Sequence, residues 1–377
     1  MSLWIDNDAD FAQLCRQAAQ YSRIALDTEF IWSSTFYPRL ALIQLSWDRE
    51  HCALIDPLTI SDTTPLKALL ENHNVRKILH EAPSDLPILR RWCGEALPTA
   101  IFDTRLAAAF CGLGLGCSLN KLLTELLQIT LAKSETRSDW LQRPLSDRQL
   151  QYAAEDVMLL PEVASHLQCR IKDLGNWDWF NEEMQMFSRP DFYQQEEPEN
   201  CWRRIGGSGN LAPRRLAILR ELAAWRETTA RQLDKPRPRI LKDDQLLAIT
   251  NLQPDEISDL RKIPEFWPKN IHKYGEQILE AVKRGQMVPL DECPSIPEMN
   301  ISLQVYRKRV SRLQTLVKKR SEARSIDPAL VAPRREISSI IQAAENRTWQ
   351  QHPLMHGWRK ELLGETFENL IKNNFRE

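Results

Sequence analysis

Ala25-Leu26-Asp27-Thr28-Glu29-Phe30 is the stretch from which the fold is read. It ends a short apolar run that starts at Arg23, and it carries two acids two positions apart. On a β-strand, residues i and i+2 face the same side, so Asp27 and Glu29 point together. Carboxylates that close repel, and ionising both is costly unless a cation lies between them. A solvent-facing strand would tolerate two ordinary acids as well. Against that, Ile24, Leu26 and Phe30 mark a strand whose other face lies in a core.

Outward from this strand, Leu40 to Trp47 and His51 to Ile55 are two more strand-like runs, and Asp48-Arg49-Glu50 between them is short enough for a hairpin. Residues 8–20 read as a helix. Arg76 to His80 and Thr99 to Phe102 are again strand-like, and helical patterns at Leu66 to Glu71, Leu86 to Trp92 and Thr104 to Cys111 separate the later strands. A hairpin followed by strand–helix alternation predicts a mixed sheet with helices on its faces. One long helical stretch is expected from Asp147 to about Leu174.

Ser188 to Asn210, with Pro190, Pro198 and Gly206-Gly207-Ser208-Gly209, has linker composition, and Gln286 to Asn300 is a second linker. The segments beyond these breaks read as all-helical and echo each other. Ala230-Arg231-Gln232-Leu233-Asp234 matches Ala323-Arg324-Ser325-Ile326-Asp327 at an offset of 93 residues. Each copy precedes a stretch holding proline and basic residues and then an apolar helix, which predicts a duplicated helical module.

With 377 residues the chain is too long for one ordinary domain. Its 42% hydrophobic and 27% charged content is that of a globular protein. It holds no apolar run of membrane-spanning length, so no span is expected. Its start lacks the basic-then-apolar pattern of an export signal. The eight cysteines form no Cys-x-x-Cys pair, which fits a reducing cytoplasm. The net charge of −1 conceals an asymmetry. Met1 to Ile205 carries 20 Lys and Arg against 29 Asp and Glu; the remainder carries 30 against 22. An acidic half followed by a basic half would suit a metal-binding part with a nucleic-acid-binding arm, and two ordinary solvated surfaces would read the same.

Tyr152 and Asp156 are four apart on the expected helix and share a face, although a partly buried tyrosine in an amphipathic helix would look the same. Asp85 follows a strand and stands near a helix start, where an acid is also favoured by the helix dipole. Asp103, at the end of Ile101-Phe102, reads as the cap of the next helix. Asp27, Glu29, Asp85 and Asp156 form a carboxylate set without thiol or imidazole, which suits hard cations such as Mg²⁺ or Mn²⁺. Two such cations side by side serve in-line displacement at a phosphodiester. Of the aromatics that follow, Phe30, Trp32, Phe36 and Tyr37, most are expected in a core and one or two could stack on terminal bases. Ser118 reads as a helix cap. His352 and His356 have no cysteine pair upstream, and no zinc site is expected.

Together these motifs resemble the ribonuclease D family of the DEDD exonuclease superfamily, in its tyrosine subgroup. Leu26-Asp27-Thr28-Glu29-Phe30 is similar to the first exonuclease motif and Leu79-His80 through Asp85-Leu86 to the second. Lys133-Ser134-Glu135, Ser138-Asp139-Trp140, Arg143-Pro144-Leu145 and Tyr152-Ala153-Ala154-Glu155-Asp156-Val157 are similar to the third. Leu216 to Arg284, and a more diverged copy from about Met299, resemble the helicase-and-ribonuclease-D C-terminal domain. Arg231, Lys235, Arg237, Arg239 and Lys242 in one copy, and Arg307, Lys308, Arg309, Lys318, Lys319 and Arg320 in the other, would serve phosphate contact there.

The resemblance implies an α/β, ribonuclease-H-like exonuclease domain over 1–200, then two small all-α domains over 208–288 and 297–377. It implies two divalent cations, Mg²⁺ or Mn²⁺. Asp27 would serve both, Glu29 and Asp156 the nucleophile-side ion and Asp85 the other, with Tyr152 orienting the attacking water. The implied activity is 3′→5′ hydrolysis from RNA 3′ ends with release of nucleoside 5′-monophosphates, acting on precursor tRNA and other small structured RNAs. Two other readings stay open: a DNA-trimming 3′ exonuclease, and a non-catalytic RNA-binding protein with a degenerate nuclease core.

Overall fold

A computed structural model describes residues 2–131, 135, 138–295, 301–373 and 375. Lys133 and Ser134 of the third motif lie outside them. The chain divides into two compact units: Met1–Phe30, Leu40–Tyr193 and Met299–Glu377 form one, and Ile31–Arg39 with Gln194–Glu298 the other.

The first unit is built on a mixed sheet of β1 (Ser2–Ile5), β2 (Arg23–Ile31), β3 (Arg39–Ser46), β4 (Cys52–Ile55), β5 (Arg76–Leu79) and β6 (Ile101–Asp103), in the order β1-β4-β3-β2-β5-β6. The expected hairpin is the antiparallel β3–β4 pair, while β1–β4, β2–β5 and β5–β6 are parallel. β3 is buried from Leu40 to Ser46, as a strand covered on both faces must be. β1 escaped the sequence reading because its four residues show no strand pattern of their own; pairing to β4 defines it.

Around the sheet lie α1 (Asp8–Ala18), α2 (Thr64–Glu71), α3 (Ala82–Trp92), α4 (Thr104–Ala109), α5 (Leu119–Leu127), α6 (Asp147–Met158), α7 (Leu160–Asp173) and α8 (Trp177–Met184). Their starts are chemically marked. The side chains of Asn7, Asp103, Ser118 and Ser146 each accept a backbone N–H in the first turn of the helix they precede. The single helix expected from Asp147 to Leu174 is two helices: Pro161 has no N–H for the carbonyl of Val157, and the chain restarts at Leu160.

The C-terminal helices α13 (Leu303–Glu322), α14 (Pro328–Val331), α15 (Arg334–Glu345) and α16 (Gly357–Lys372) share one hydrophobic core with the sheet layer. Trp358 packs on Phe110, ring centres 5.0 Å apart, and Arg359 grips both oxygens of Glu183 at 2.7 and 2.8 Å. The second unit repeats that order of helix lengths in α9 (Pro213–Gln232), α10 (Arg237–Ile240), α11 (Asp243–Leu252) and α12 (Pro268–Met287), as the sequence echo predicts. Trp225 packs edge-on against Tyr274, and Trp267 is 69% exposed. Ser188–Asn210 is no loose linker. It runs through short 3₁₀ turns at Pro190–Tyr193, Pro198–Arg204 and Ser208–Asn210, and it buries Cys201 and Trp202. Proline frequency reads as a spacer, whereas the apolar pair within it supplies a reason to fold.

Candidate active site

Strand geometry presents Asp27 and Glu29 on one face of β2, and α6 brings in Asp156. Each of these half-buried residues offers a carboxylate oxygen, and the three atoms lie within 4.8 Å of one another. Among the described residues no lysine, arginine or histidine pairs with any of them. The electrostatic result is protonation at unusually high pH. Burial, then the charges of Asp85, Asp156 and Glu29, pushes Asp27 well above the ordinary carboxylate range. Burial together with Asp156 and Asp85 takes Glu29 up to about 8. Burial takes Asp156 to about 6, against the lowering effect of a hydrogen bond from Tyr152. An oxygen-only cluster of mutually repelling acids fits a hard divalent cation, which relieves the repulsion and replaces the missing counter-charge.

Asp85, in the first turn of α3, is 4% exposed and stands beside the trio without belonging to it. Its Oδ1 accepts the hydroxyl of Thr28, which ties α3 to β2 between the two acids of that strand. Burial carries Asp85 to about 7 in spite of that bond. Pro83 and Pro87 do not disturb the helix start: Pro83 occupies the first turn, where no N–H is required. Tyr152 lies one turn before Asp156 and donates to it; burial, followed by the Asp156 charge, raises its phenol, so the hydroxyl keeps its proton at neutral pH. Trp140 stands 6.0 Å from the Tyr152 ring. Asp103 is the α4 cap: its Oδ1 accepts the Leu106 N–H at 2.8 Å.

One supporting pair went unseen in the sequence. Arg143 Nε and Nη2 reach the two oxygens of Asp56 at 2.6 and 2.7 Å, and Nη2 also reaches the Ala41 carbonyl at 2.7 Å. The bond locks the segment leading into α6 onto the end of β4. Arg143 stood in a quoted motif, but a separation of 87 positions hides such a partnership from local pattern.

A mixed sheet that aims three carboxylates and a phenol at one point defines a nuclease of the DEDD class, and comparison agrees. A family described as 3′-5′ exonuclease matches residues 3–172, the HRDC domain matches 215–282, and the ribonuclease D C-terminal HRDC domain matches 305–367. Ribonuclease D of Escherichia coli is 35% identical over 377 residues, covering 98% of each chain. That of Desulfotalea psychrophila is 34% identical over 364 residues, covering 97% of each. The crystal structure of Escherichia coli RNase D superposes with a TM-score of 0.90 at 33% identity, over 99% of each chain. The chain belongs to the ribonuclease D family, and it is a 3′-5′ exoribonuclease that uses divalent metal.

Proposed function

We propose that Asp27, Glu29 and Asp156 hold the catalytic cations, with Asp85 completing the set, and that Tyr152 positions the attacking water. The observation that carries this is the trio of carboxylate oxygens within 4.8 Å and without a cationic partner among the described residues. Two Mg²⁺ or Mn²⁺ ions, when bound, supply Lewis-acid stabilisation of the attacking and leaving oxygens. The chain's own groups do the rest. Thr28 fixes the rotamer of Asp85 through its hydroxyl. Tyr152, protonated and anchored on Asp156, orients water by hydrogen bonding; burial and the Asp156 charge push its phenol up, which argues against a role as base. The product is a nucleoside 5′-monophosphate, released one residue at a time.

For substrate we propose RNA 3′ ends on small structured RNAs, precursor tRNA among them, acted on in the cytoplasm. Residues 1–200 would form the exonuclease domain, and 208–288 and 297–377 two helical modules that bind RNA. The Escherichia coli relative is described as an exoribonuclease involved in structured RNA processing, and all eight cysteines here are free thiols. The test is incubation of the chain with end-labelled RNA and DNA of one sequence under Mg²⁺, Mn²⁺ or EDTA. Stepwise 3′ shortening of RNA that EDTA abolishes is expected. Equal or faster shortening of DNA overturns the substrate assignment, and inert RNA overturns the reading as a whole.

A further inference from the structure

Ile31–Arg39, the segment that follows the acids of β2, belongs to the second unit. There it walls one side of a cavity of about 550 Å³, a size within the range of small-molecule sites. The segment is firmly held. The Phe36 ring packs against that unit's core beneath the Arg237 guanidinium, 4.7 Å from its centre. The N–H groups of Phe36 and Tyr37 donate to the Asp234 carboxylate at 3.1 and 3.0 Å.

Trp32 is pinned in another way. Its indole N–H donates to the Phe36 carbonyl at 2.9 Å, yet the residue is 61% exposed. Its one polar atom is satisfied and its orientation is set, while much of its flat surface stays open to solvent. The same cavity is lined by Arg204, Arg226, Arg237 and Lys242, with Asp243 as the carboxylate among them. Arg226 answers that charge at 2.6 Å, is 5% exposed, and keeps a buried Nε without a hydrogen-bond partner among the described residues. The side chains of Arg204 and Lys242 are 67% and 50% exposed. Their pairs with Glu196 and Glu265 are of the surface kind, worth about 0–1 kcal/mol, and a phosphate can displace them.

We propose that this cavity holds one nucleotide of single-stranded RNA, with its base stacked on Trp32 and its phosphate between Arg204 and Lys242. The proposal rests on the exoribonuclease reading and adds a substrate contact to it. A flat, open indole beside an excess of cations matches the two properties every nucleotide has, a π-face and a charged phosphate. An acidic peptide would answer the cations and leave the indole idle; an apolar peptide would do the reverse.

The test is fluorescence anisotropy with the full chain in EDTA and a labelled 12-residue single-stranded RNA. Trp32→Ala should weaken binding roughly tenfold, the loss of about one stacked base, and Trp32→Phe should keep most of the affinity. On a fully abasic strand the parent and Trp32→Ala should bind alike. Lys242→Glu should weaken binding and lower the slope of log affinity against log salt by about one. Melting curves check that each variant folds; Lys242→Glu, at an exposed side chain, gives a reading independent of Trp32. Parent and Trp32→Ala binding within twofold on the normal strand, or an equal gap on the abasic strand, overturns the proposal. Cleavage of the same RNA by the parent with Mn²⁺ is followed in parallel: its absence defeats the exoribonuclease reading and leaves the binding result to be judged separately.

Discussion

Arg143→Met should destabilise the first unit by about 3 kcal/mol, although residue 143 touches no proposed metal ligand. The magnitude follows from what the guanidinium does. It meets both Asp56 oxygens at 2.6 and 2.7 Å, the Ala41 carbonyl at 2.7 Å and the Trp140 carbonyl at 2.8 Å. The Asp56 side chain is 5% exposed and that of Arg143 24%. Removing one partner of a buried pair costs roughly 3–5 kcal/mol, because the other charge is left uncompensated. Partial exposure of Arg143, and the Leu58 N–H that still reaches Asp56 at 3.1 Å, put the expectation at the low end. At about 2–4 °C per kcal/mol for a unit of this size, the melting transition should fall by about 6–12 °C. Calorimetry on the full chain measures it, with Asp56→Asn and the double variant completing a cycle. The pair also holds the entry to α6, so Arg143→Met should lower turnover of RNA at temperatures where the variant is still folded. A loss below about 1 kcal/mol, or single-variant effects that add to within about 0.5 kcal/mol, would refute the reasoning.

Three further outcomes are expected. Asp27→Ala and Asp156→Ala should each abolish hydrolysis and leave melting of the metal-free chain nearly unchanged, since each removes a repelled charge along with a proposed ligand; retained cleavage of labelled RNA would sink the assignment. Tyr152→Phe should slow hydrolysis without weakening Mn²⁺ binding by titration calorimetry, because in the proposed arrangement the phenol orients water and leaves the cation to the carboxylates. Mn²⁺ at about a hundred times its dissociation constant should stabilise the parent by about 2.7 kcal/mol; the shift should vanish in EDTA and shrink sharply in Asp27→Ala.

The acids of β2 were legible because a strand has period two and a buried back face, and Tyr152 with Asp156 because a helix sets residues four apart on one side. Their meeting was not legible from spacing. It depends on where α6 comes to lie against β2, a matter of sheet order and of long-range bonds such as Arg143–Asp56; only the resemblance joined the motifs in advance. The same limit applies to Thr28–Asp85, whose partners are 57 positions apart. Local composition misled in two places. The proline-rich Ser188–Asn210 looked like spacer, yet it folds around Cys201 and Trp202. The aromatics after Phe30 were read beside the first motif, yet their segment builds into the helical module through Phe36 and Asp234.

Duplication accounts for that second surprise. Asp234 and Asp327 hold the same place in the two sequence echoes, just beyond the long first helix of each module. Asp234 receives the N–H groups of Phe36 and Tyr37. Asp327 receives the Leu115 N–H at 2.6 Å, and its own N–H donates to the Ala109 carbonyl at 2.8 Å. One position is thus used twice to seize backbone from the part of the chain that matches the exonuclease family. The arginines of the echoes are also taken: Arg231 by Glu227, and Arg324 by Gly175 and Asn176. A part-buried guanidinium committed to protein oxygens is a poor phosphate ligand, so the basic residues read from the sequence divide. Arg231, Arg237 and Arg309 hold carboxylates of the modules themselves. Lys235, Arg239, Arg307, Lys308 and Lys319 are exposed and without a carboxylate partner among the described residues. The exposed cations therefore lie outside the echo, where the two copies diverge, and the echo itself carries contacts that hold backbone.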